Sequence, residues 1–473
     1  MLQRYRMQIA GEFRNASEVD LIRNPFDGEP IAEVARASAS DMDAAIEHAH
    51  ATFTNGETLP THRRAEVLDA IALGVRARAA EIAKLIAQES GKPIRYARGE
   101  VARAALTFSL GAGEARRLGG ELMPIDQLPG AEGRLCVFER VARGPVGAIA
   151  PFNFPLNLVA HKLSPALAVS APTVLKPALQ SPLTAHLLGE LMLAAGLPAQ
   201  ELSVLHAHAD VAERLATDPR IAVLSFTGSD AVGWHLKSIA GKKHVLLELG
   251  GNAPCVIDEG ADLDAVIPRL VESCFANGGQ ICIRVQRVLV ARRLLSDFLE
   301  RFVAATRAVK CGNPLDEDTV VGPLIEARHV TRVLDWVREA KDGGARLLCG
   351  GDAEGQIVRP TLMIDVPAHS RLARDEVFGP VSVVEPFDSF DEALALCNQS
   401  RFGLQAGVFT PDIGRALKAF RALRYGAVLI NDTPMLRIDN YPYGGSKDSG
   451  TGREGVRFAI EEFTEPKALV MRG

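Results

Sequence analysis

The sequence has no Cys-x-x-Cys pair, and its seven cysteines stand at irregular spacing in 473 residues. That is no disulfide framework. Histidine is as dispersed: of eleven, the closest approach is His206-Ala207-His208. Alternate residues of a strand face opposite sides, so this pair reads as structural and no metal site is expected. No apolar run reaches the roughly 18 residues that a membrane span needs. The opening Met1-Leu2-Gln3-Arg4-Tyr5-Arg6 has no apolar signal core. Lys and Arg gather into no long run, and the formal net charge of −5 mixes both signs, which argues against a nucleic-acid footprint. No repeat or low-complexity segment is evident. These absences leave a cytoplasmic, reducing compartment as the expectation, with neither membrane nor nucleic acid as partner.

What is present is ordinary globular material: 47% hydrophobic and 23% charged residues. At this length two or three domains are expected. Short strands and turns fill residues 1–35, with Asn24-Pro25-Phe26-Asp27-Gly28 as a strong turn signal. Residues 40–120 read as helical, opening on an N-cap at Ser40 and continuing from Thr61 to Ser90 along the apolar face Leu68, Ile71, Val75, Ile82, Leu85 and Ile86. From about Leu135 strands and helices alternate, then do so again after Gly251, which predicts two α/β units with parallel sheets.

One thiol and one carboxylate organise the chain. Cys282 ends Gly278-Gly279-Gln280-Ile281-Cys282, and Glu248 opens Glu248-Leu249-Gly250-Gly251. A thiolate is a strong nucleophile toward carbonyl carbon, and a carboxylate can activate water. Asn153, held between aromatics and prolines in Pro151-Phe152-Asn153-Phe154-Pro155, is a fixed amide suited to an oxyanion. Ser225-Phe226-Thr227-Gly228-Ser229 joins a strand to a helix and offers backbone N–H groups to a pyrophosphate. Lys176 ends the strand Thr173-Val174-Leu175-Lys176, where ligands of open sheets bind. Glu376, before Val377-Phe378-Gly379-Pro380, can accept two hydrogen bonds from a sugar diol. The GxGxxG string at 450–455 is not a dinucleotide fingerprint, because no hydrophobic strand precedes it and no acidic ribose partner can follow.

Together these strings resemble the aldehyde dehydrogenase superfamily: PFNFP at 151–155, LKP at 175–177, FTGS at 226–229, ELGG at 248–251, GQIC at 279–282, EVFGP at 376–380 and SGTGREG at 449–455. The resemblance covers nearly the whole chain in the family's order and spacing. It implies an α/β fold: an atypical Rossmann NAD(P)-binding domain (1–120 and 142–249), an α/β catalytic domain (250–445), and an oligomerisation β-arm with a C-terminal segment (121–141 and 446–473). A homodimer or homotetramer is implied. So is a mechanism. Cys282 forms a thiohemiacetal and then a thioester, with the oxyanion held by Asn153 and the Cys282 N–H. Glu248 activates the hydrolytic water, and Lys162 relays protons near it or forms a buried salt bridge. Pro151, Phe152, Lys176, Thr227, Gly228, Ser229, Leu249, Gly250, Glu376 and Phe378 are the implied contacts of NAD, with NADP possible.

The chain departs from many relatives at His206-Ala207-His208, where Pro-Gly is usual, and at Leu179, where NAD-specific relatives carry Glu. The segment Asn431–Asn440 lines the substrate tunnel in the family. Arg437 there, with Arg103 from the helical layer and Phe154, forms the expected substrate set; pairing of Arg437 with Asp439 or Asp432 is the structural alternative. The nearest branch acts on lactaldehyde, glyceraldehyde 3-phosphate and similar aldehydes. Phosphate users carry Tyr at Phe154 and Arg at Ile281, so a short aldehyde with a hydroxyl or one anionic group is expected. Two rivals stand beside this reading. An acylating enzyme passing the acyl group to coenzyme A typically lacks the deacylating Glu, and an inactive binding protein has no need to keep Asn153, Glu248 and Cys282 together.

Overall fold

The computed structural model describes residues 2–56 and 58–472. Met1 and Gly473, the outer limits of the expected cofactor domain and C-terminal segment, lie outside the described residues, as does Glu57. Two large sheets carry the architecture. The first runs in the order Gly450–Thr451, His244–Glu248, Val223–Thr227, Val146–Ile149, Thr173–Lys176, Leu202–Val204, Met7–Ile9, Glu12–Arg14. Its five strands from His244–Glu248 to Leu202–Val204 are parallel, and the flanking strands are antiparallel. The second has seven strands, in the order Arg346–Cys349, Thr361–Ile364, Val381–Phe387, Val285–Ala291, Ala253–Ile257, Gln405–Phe409, Ala427–Ile430. Only its first strand is antiparallel. Strands this uniformly buried read as continuous apolar runs, because parallel sheets are covered on both faces.

The helical layer packs on the first sheet. Leu68, Ile71, Val75, Ile82 and Ile86 join Val101, Phe108 and Leu163 in one core, each such buried side chain stabilising the fold by roughly 1.5–3 kcal/mol. Two expectations need correction. The first helix is Ala39–Thr54, capped not by Ser40 but by Ser38, whose side chain and Asp41 form a reciprocal capping box. The stretch 61–90 is two helices, Thr61–Ala77 and Ala79–Ser90, broken at Arg78. Gly91 closes the second at φ +71°, where a β-carbon would also strike Pro323.

A third, three-stranded antiparallel sheet stands apart: Gly120–Met123, Arg134–Ala142 and Thr464–Arg472. The last two strands pair along their length, from Thr464 opposite Ala142 to Arg472 opposite Arg134. It leaves Leu122, Leu128, Leu469 and Val470 exposed. No described helix is long and apolar enough to cross a membrane.

His206 and His208 lie beyond the strand, which ends at Val204 rather than His206, so the opposite-face argument does not apply to them. Both donate to one oxygen of Asp20, at 2.8 and 3.1 Å, which makes them a structural tie to the N-terminal strands.

Candidate active site

The parallel strands of the first sheet set the site. Their register puts Lys176 beside Ile149, Ile149 beside Phe226, and Thr227 beside Glu248. All these residues sit at the carboxyl ends of neighbouring strands, where an open α/β sheet receives its ligands. A cavity of about 620 Å³ opens over them, within the range of small-molecule and cofactor sites. Pro151, Phe152, Asn153, Lys176, Thr227, Gly228, Ser229, Glu248, Leu249, Gly250, Cys282, Glu376, Phe378 and Arg437 all line it. Residues separated by nearly 300 positions thus meet in one space.

The loop that carries Cys282 is built by backbone conformation. Asn277, Gly278 and Gly279 lie in succession at φ +55°, +63° and +70°. A β-carbon on Gly279 would run into the main chain of Gly379, so only glycine fits. Gln280 then locks the turn: its amide donates to the carbonyls of Asn277 and Pro323, and its Oε1 accepts from Ile325 N. Asn153 Nδ2 donates to the Gln280 carbonyl at 2.9 Å, which fixes the amide against the cysteine loop and leaves its second N–H unassigned. Ile281, Ile283 and Tyr443 surround Cys282 with apolar surface, joined by Tyr96, Phe154, Met435 and Tyr441. Burial pushes the thiol up to about 11, against the pull of a hydrogen bond with Tyr443.

Glu248 is 3% exposed, and neither carboxylate oxygen has a hydrogen-bond partner. Burial, and then the charge of Glu454, raise its pKa well above the ordinary value. A buried carboxyl without partners is costly unless something else uses it. Glu454 belongs to the rejected glycine string, none of whose residues lines the cavity. Gly450–Thr451 is a two-residue strand antiparallel to the end of His244–Glu248, and this delivers Glu454 to the core behind Glu248. Burial pushes Glu454 up, but Lys162 and Arg437 outweigh it and hold it down to about 2. Of this carboxyl pair, Glu248 is thus the member whose ionised form is disfavoured.

Three expected residues stand off the cavity. Lys162 is fully buried and donates to Ser225 Oγ at 3.0 Å and Thr227 Oγ1 at 2.8 Å, with Glu454 at 3.5 Å. Its ion-pair partner is Glu454. Phe154 lies over Lys92, whose ammonium is 3.6 Å from the ring centroid. Lys92 pairs with Glu100 in the interior, and Glu100 accepts from the N–H groups of Leu156 and Asn157. This ion pair thereby seats the start of the helix that follows Asn153. Arg103 is engaged by Asp439 through Nε and Nη2, at 3.1 and 2.7 Å. Asp439 also takes hydrogen bonds from His161 and Asn157. Burial would raise its pKa, but the bonds from His161 and Arg103 hold it well below the carboxylate range.

Arg437 pairs with neither expected partner. Asp439 is occupied, and Asp432 lies 3.7 Å from Arg269. Arg437 instead turns inward: Nη2 donates to Glu454 at 2.8 Å, and the guanidinium covers the Tyr443 ring at 3.7 Å. Its Nε is buried without a partner.

The side of the cavity expected to take the cofactor has its own tuning. Lys176 is buried, which lowers its pKa to about 8, with no carboxylate acting on it among the described residues. Glu376 accepts from Gly251 N at 3.0 Å, and burial raises it to about 7. A β-carbon on Gly250 would collide with that carboxylate. Phe152 and Phe378 meet edge to face, 5.9 Å apart, with Phe378 at φ +40°, a conformation that a bulky residue adopts only under constraint. The expected anion cradle is narrower than the sequence implied. Gly228 N already donates to the Glu248 carbonyl at 3.1 Å, so its N–H is not free. Ser229 occupies the N-cap position without a side-chain capping bond. Leu179, Arg332, Trp336, Arg401 and Tyr443 are also among the lining residues; no local pattern marked the last four.

Residues 14–469 match the profile of the Aldehyde dehydrogenase family. The 3-sulfolactaldehyde dehydrogenase of Priestia megaterium is 39% identical over 471 residues, which is 99% of this chain and 98% of that one. Aldehyde dehydrogenase 21 from Physcomitrella patens, solved with its reaction product succinate, superposes with a TM-score of 0.98 at 41% identity, covering 100% of this chain and 99% of that one. The glyceraldehyde-3-phosphate dehydrogenase GapN from Methanocaldococcus jannaschii, solved with NADP, has a TM-score of 0.93 at 35% identity, covering 97% and 100%. By that match over nearly its whole length, the chain belongs to the aldehyde dehydrogenase family, enzymes that oxidise aldehydes.

Proposed function

We propose that this enzyme oxidises a short aldehyde bearing one anionic group to its carboxylic acid, with NAD(P), through a covalent intermediate on Cys282. The observation that supports it most is the convergence of Cys282, Asn153 and an unpartnered Glu248 on one cavity. Cys282, as thiolate, attacks the carbonyl carbon and forms the C–S bond. The developing oxyanion is held by the free N–H of Asn153 and the backbone N–H of Cys282. NAD(P), when bound, supplies the hydride acceptor that turns the Cys282 thiohemiacetal into a thioester. Glu248, once ionised, takes a proton from water, and the resulting hydroxide cleaves the thioester and frees the thiol.

The lining fits such a cofactor. An uncompensated Lys176 and the Glu376 carboxylate suit ribose hydroxyls, the Ser229 turn suits a pyrophosphate, and Phe152 and Phe378 suit the nicotinamide side. Leu179 offers no carboxylate to repel a 2′-phosphate and no cation to attract one. NAD should be the preferred cofactor, with measurable NADP turnover. Specificity constants for the two test this, and an NADP preference above about tenfold, roughly 1.4 kcal/mol, reverses it.

The named relatives share an anionic end: a sulfonate in 3-sulfolactaldehyde, a carboxylate in succinate, a phosphate in glyceraldehyde 3-phosphate. Arg437 is the lining residue suited to that group here, because its Nε is unpartnered. A charge-assisted bond to a carboxylate would fill it. Arg437→Leu should raise the KM of a four-carbon aldehyde ending in carboxylate by about tenfold or more and leave the KM of a neutral aldehyde of equal length unchanged, any loss in kcat through Glu454 and Tyr443 being common to both. Equal rises in KM would make Arg437 only the partner of Glu454. Glu248 also separates this reading from acyl transfer to coenzyme A: free acid should form in water alone, and a strict requirement for a thiol acceptor would favour the acylating alternative.

A further inference from the structure

The geometry points to Tyr443 as a further catalytic residue, whose phenol O–H holds the sulfur of Cys282 and stabilises it as a thiolate before attack. The inference rests on Cys282 being the nucleophile. Tyr443 Oη and Cys282 Sγ are 3.2 Å apart, within hydrogen-bond distance for sulfur. Tyr443 is not a mobile tunnel wall. Its backbone forms a two-way bridge with Glu454, Tyr443 N to Glu454 O at 3.0 Å and Glu454 N to Tyr443 O at 2.6 Å. Next in sequence, Gly444 sits at φ +157°, where a β-carbon would come within 2.8 Å of Glu248 Oε1. The main chain is therefore fixed beside Glu248 at Gly444, while the Tyr443 phenol meets Cys282. Its ring face carries the Arg437 guanidinium at 3.7 Å, and Tyr441 meets it at 77°. A cation over the ring draws electron density from the phenol, which makes its O–H a better donor.

The direction of the bond follows from the groups present. A thiol and a phenol can each donate; a thiolate can only accept, so the phenol must donate once the proton has left. The charged groups facing Cys282 are Glu248, Glu376 and Arg437. Two of them are carboxyls that disfavour the thiolate. Burial, then the neighbouring thiol, keep the Tyr443 phenol protonated far above its ordinary range, so it remains a donor at working pH. When sulfur bonds to the substrate carbon, it loses its negative charge and becomes a weak acceptor. The Tyr443 bond thus stabilises the attacking state more than the covalent intermediate, and does not bind the aldehyde itself.

The test is the pH dependence of Cys282 alkylation by iodoacetamide, a neutral probe, without cofactor. Labelling is followed by peptide mass spectrometry in wild type, Tyr443→Phe and Cys282→Ala. Below the raised pKa of the thiol the labelling rate follows the thiolate fraction, so Tyr443→Phe, which keeps the ring, should label about tenfold more slowly near pH 8 with NAD affinity unchanged. A slower reaction accompanied by weaker NAD binding would make the residue mere packing and overturn the proposal. An unchanged profile would overturn it as well. If wild type carries no label on the Cys282 peptide while activity is lost to the reagent, the assignment of Cys282 fails instead, which separates the two claims.

Discussion

Cys282→Ala should lower aldehyde oxidation by at least about a thousandfold, because no second nucleophile is available to form the covalent intermediate. No other cysteine lines the cavity. Cys255 and Cys274 are fully enclosed in the core of the second sheet, where burial raises their pKa values. Cys397, on the helix Phe390–Asn398, is buried in the core of the same unit. Cys136 lies on the strand Arg134–Ala142, and Cys311 and Cys349 line a different cavity. The alanine side chain removes no contact made by Lys176, Glu376 or Phe378, so cofactor affinity should remain within about threefold of wild type. Isothermal titration with NAD and an oxidation assay together check this. Retained turnover would move the chemistry to another residue. Loss of both properties would make the effect one of folding. Cys136, Cys311 and Cys349 should each tolerate serine with activity kept; the core positions call for alanine, since a hydroxyl there would lack a partner.

Glu248→Gln should separate the two halves of the reaction. Glutamine keeps the shape of the side chain but cannot accept a proton from water. The first half should still release up to one reduced cofactor per site, followed by turnover slower by about 10²–10⁴. Stopped-flow absorbance reads both phases. The pH dependence carries a sign. Glu248 is raised above its ordinary pKa, so its basic form appears only as pH climbs through that raised value. Where hydrolysis limits, wild-type turnover should rise with pH and fall on acidification, and Glu248→Gln should flatten that limb. Absence of a burst in the variant would place Glu248 before hydride release, as the base for Cys282 rather than for water.

The residues on the strand ends were legible because local chemistry marked them. Lys176 and Glu248 close short apolar strands, and Cys282 follows a pair of glycines in left-handed backbone. What organises them was not legible. Glu454 reaches Lys162 and Arg437 only because Gly450–Thr451 adds itself to the edge of the first sheet, and a two-residue strand has no periodicity to read. The clamp of Arg103 on Asp439 spans 336 positions, and neither end has a local signature. Gly228 looked free in a strand-to-helix turn, yet its N–H is claimed by the neighbouring strand's last carbonyl. Tyr443 carried no local mark, because its hydroxyl gains meaning only from the sulfur beside it. Sequence motifs thus marked which groups meet. The counter-charges that decide which of them holds a proton came from pairings distant in the chain.

The most direct test is to trap the intermediate. Glu248→Gln is mixed with NAD and an aldehyde, quenched in acid, digested and mapped by mass spectrometry. The account predicts the acyl group of the aldehyde, as a thioester, on the peptide containing Cys282, at a stoichiometry matching the burst. An unmodified Cys282 peptide after a full burst, or the acyl group on any other residue, would contradict it.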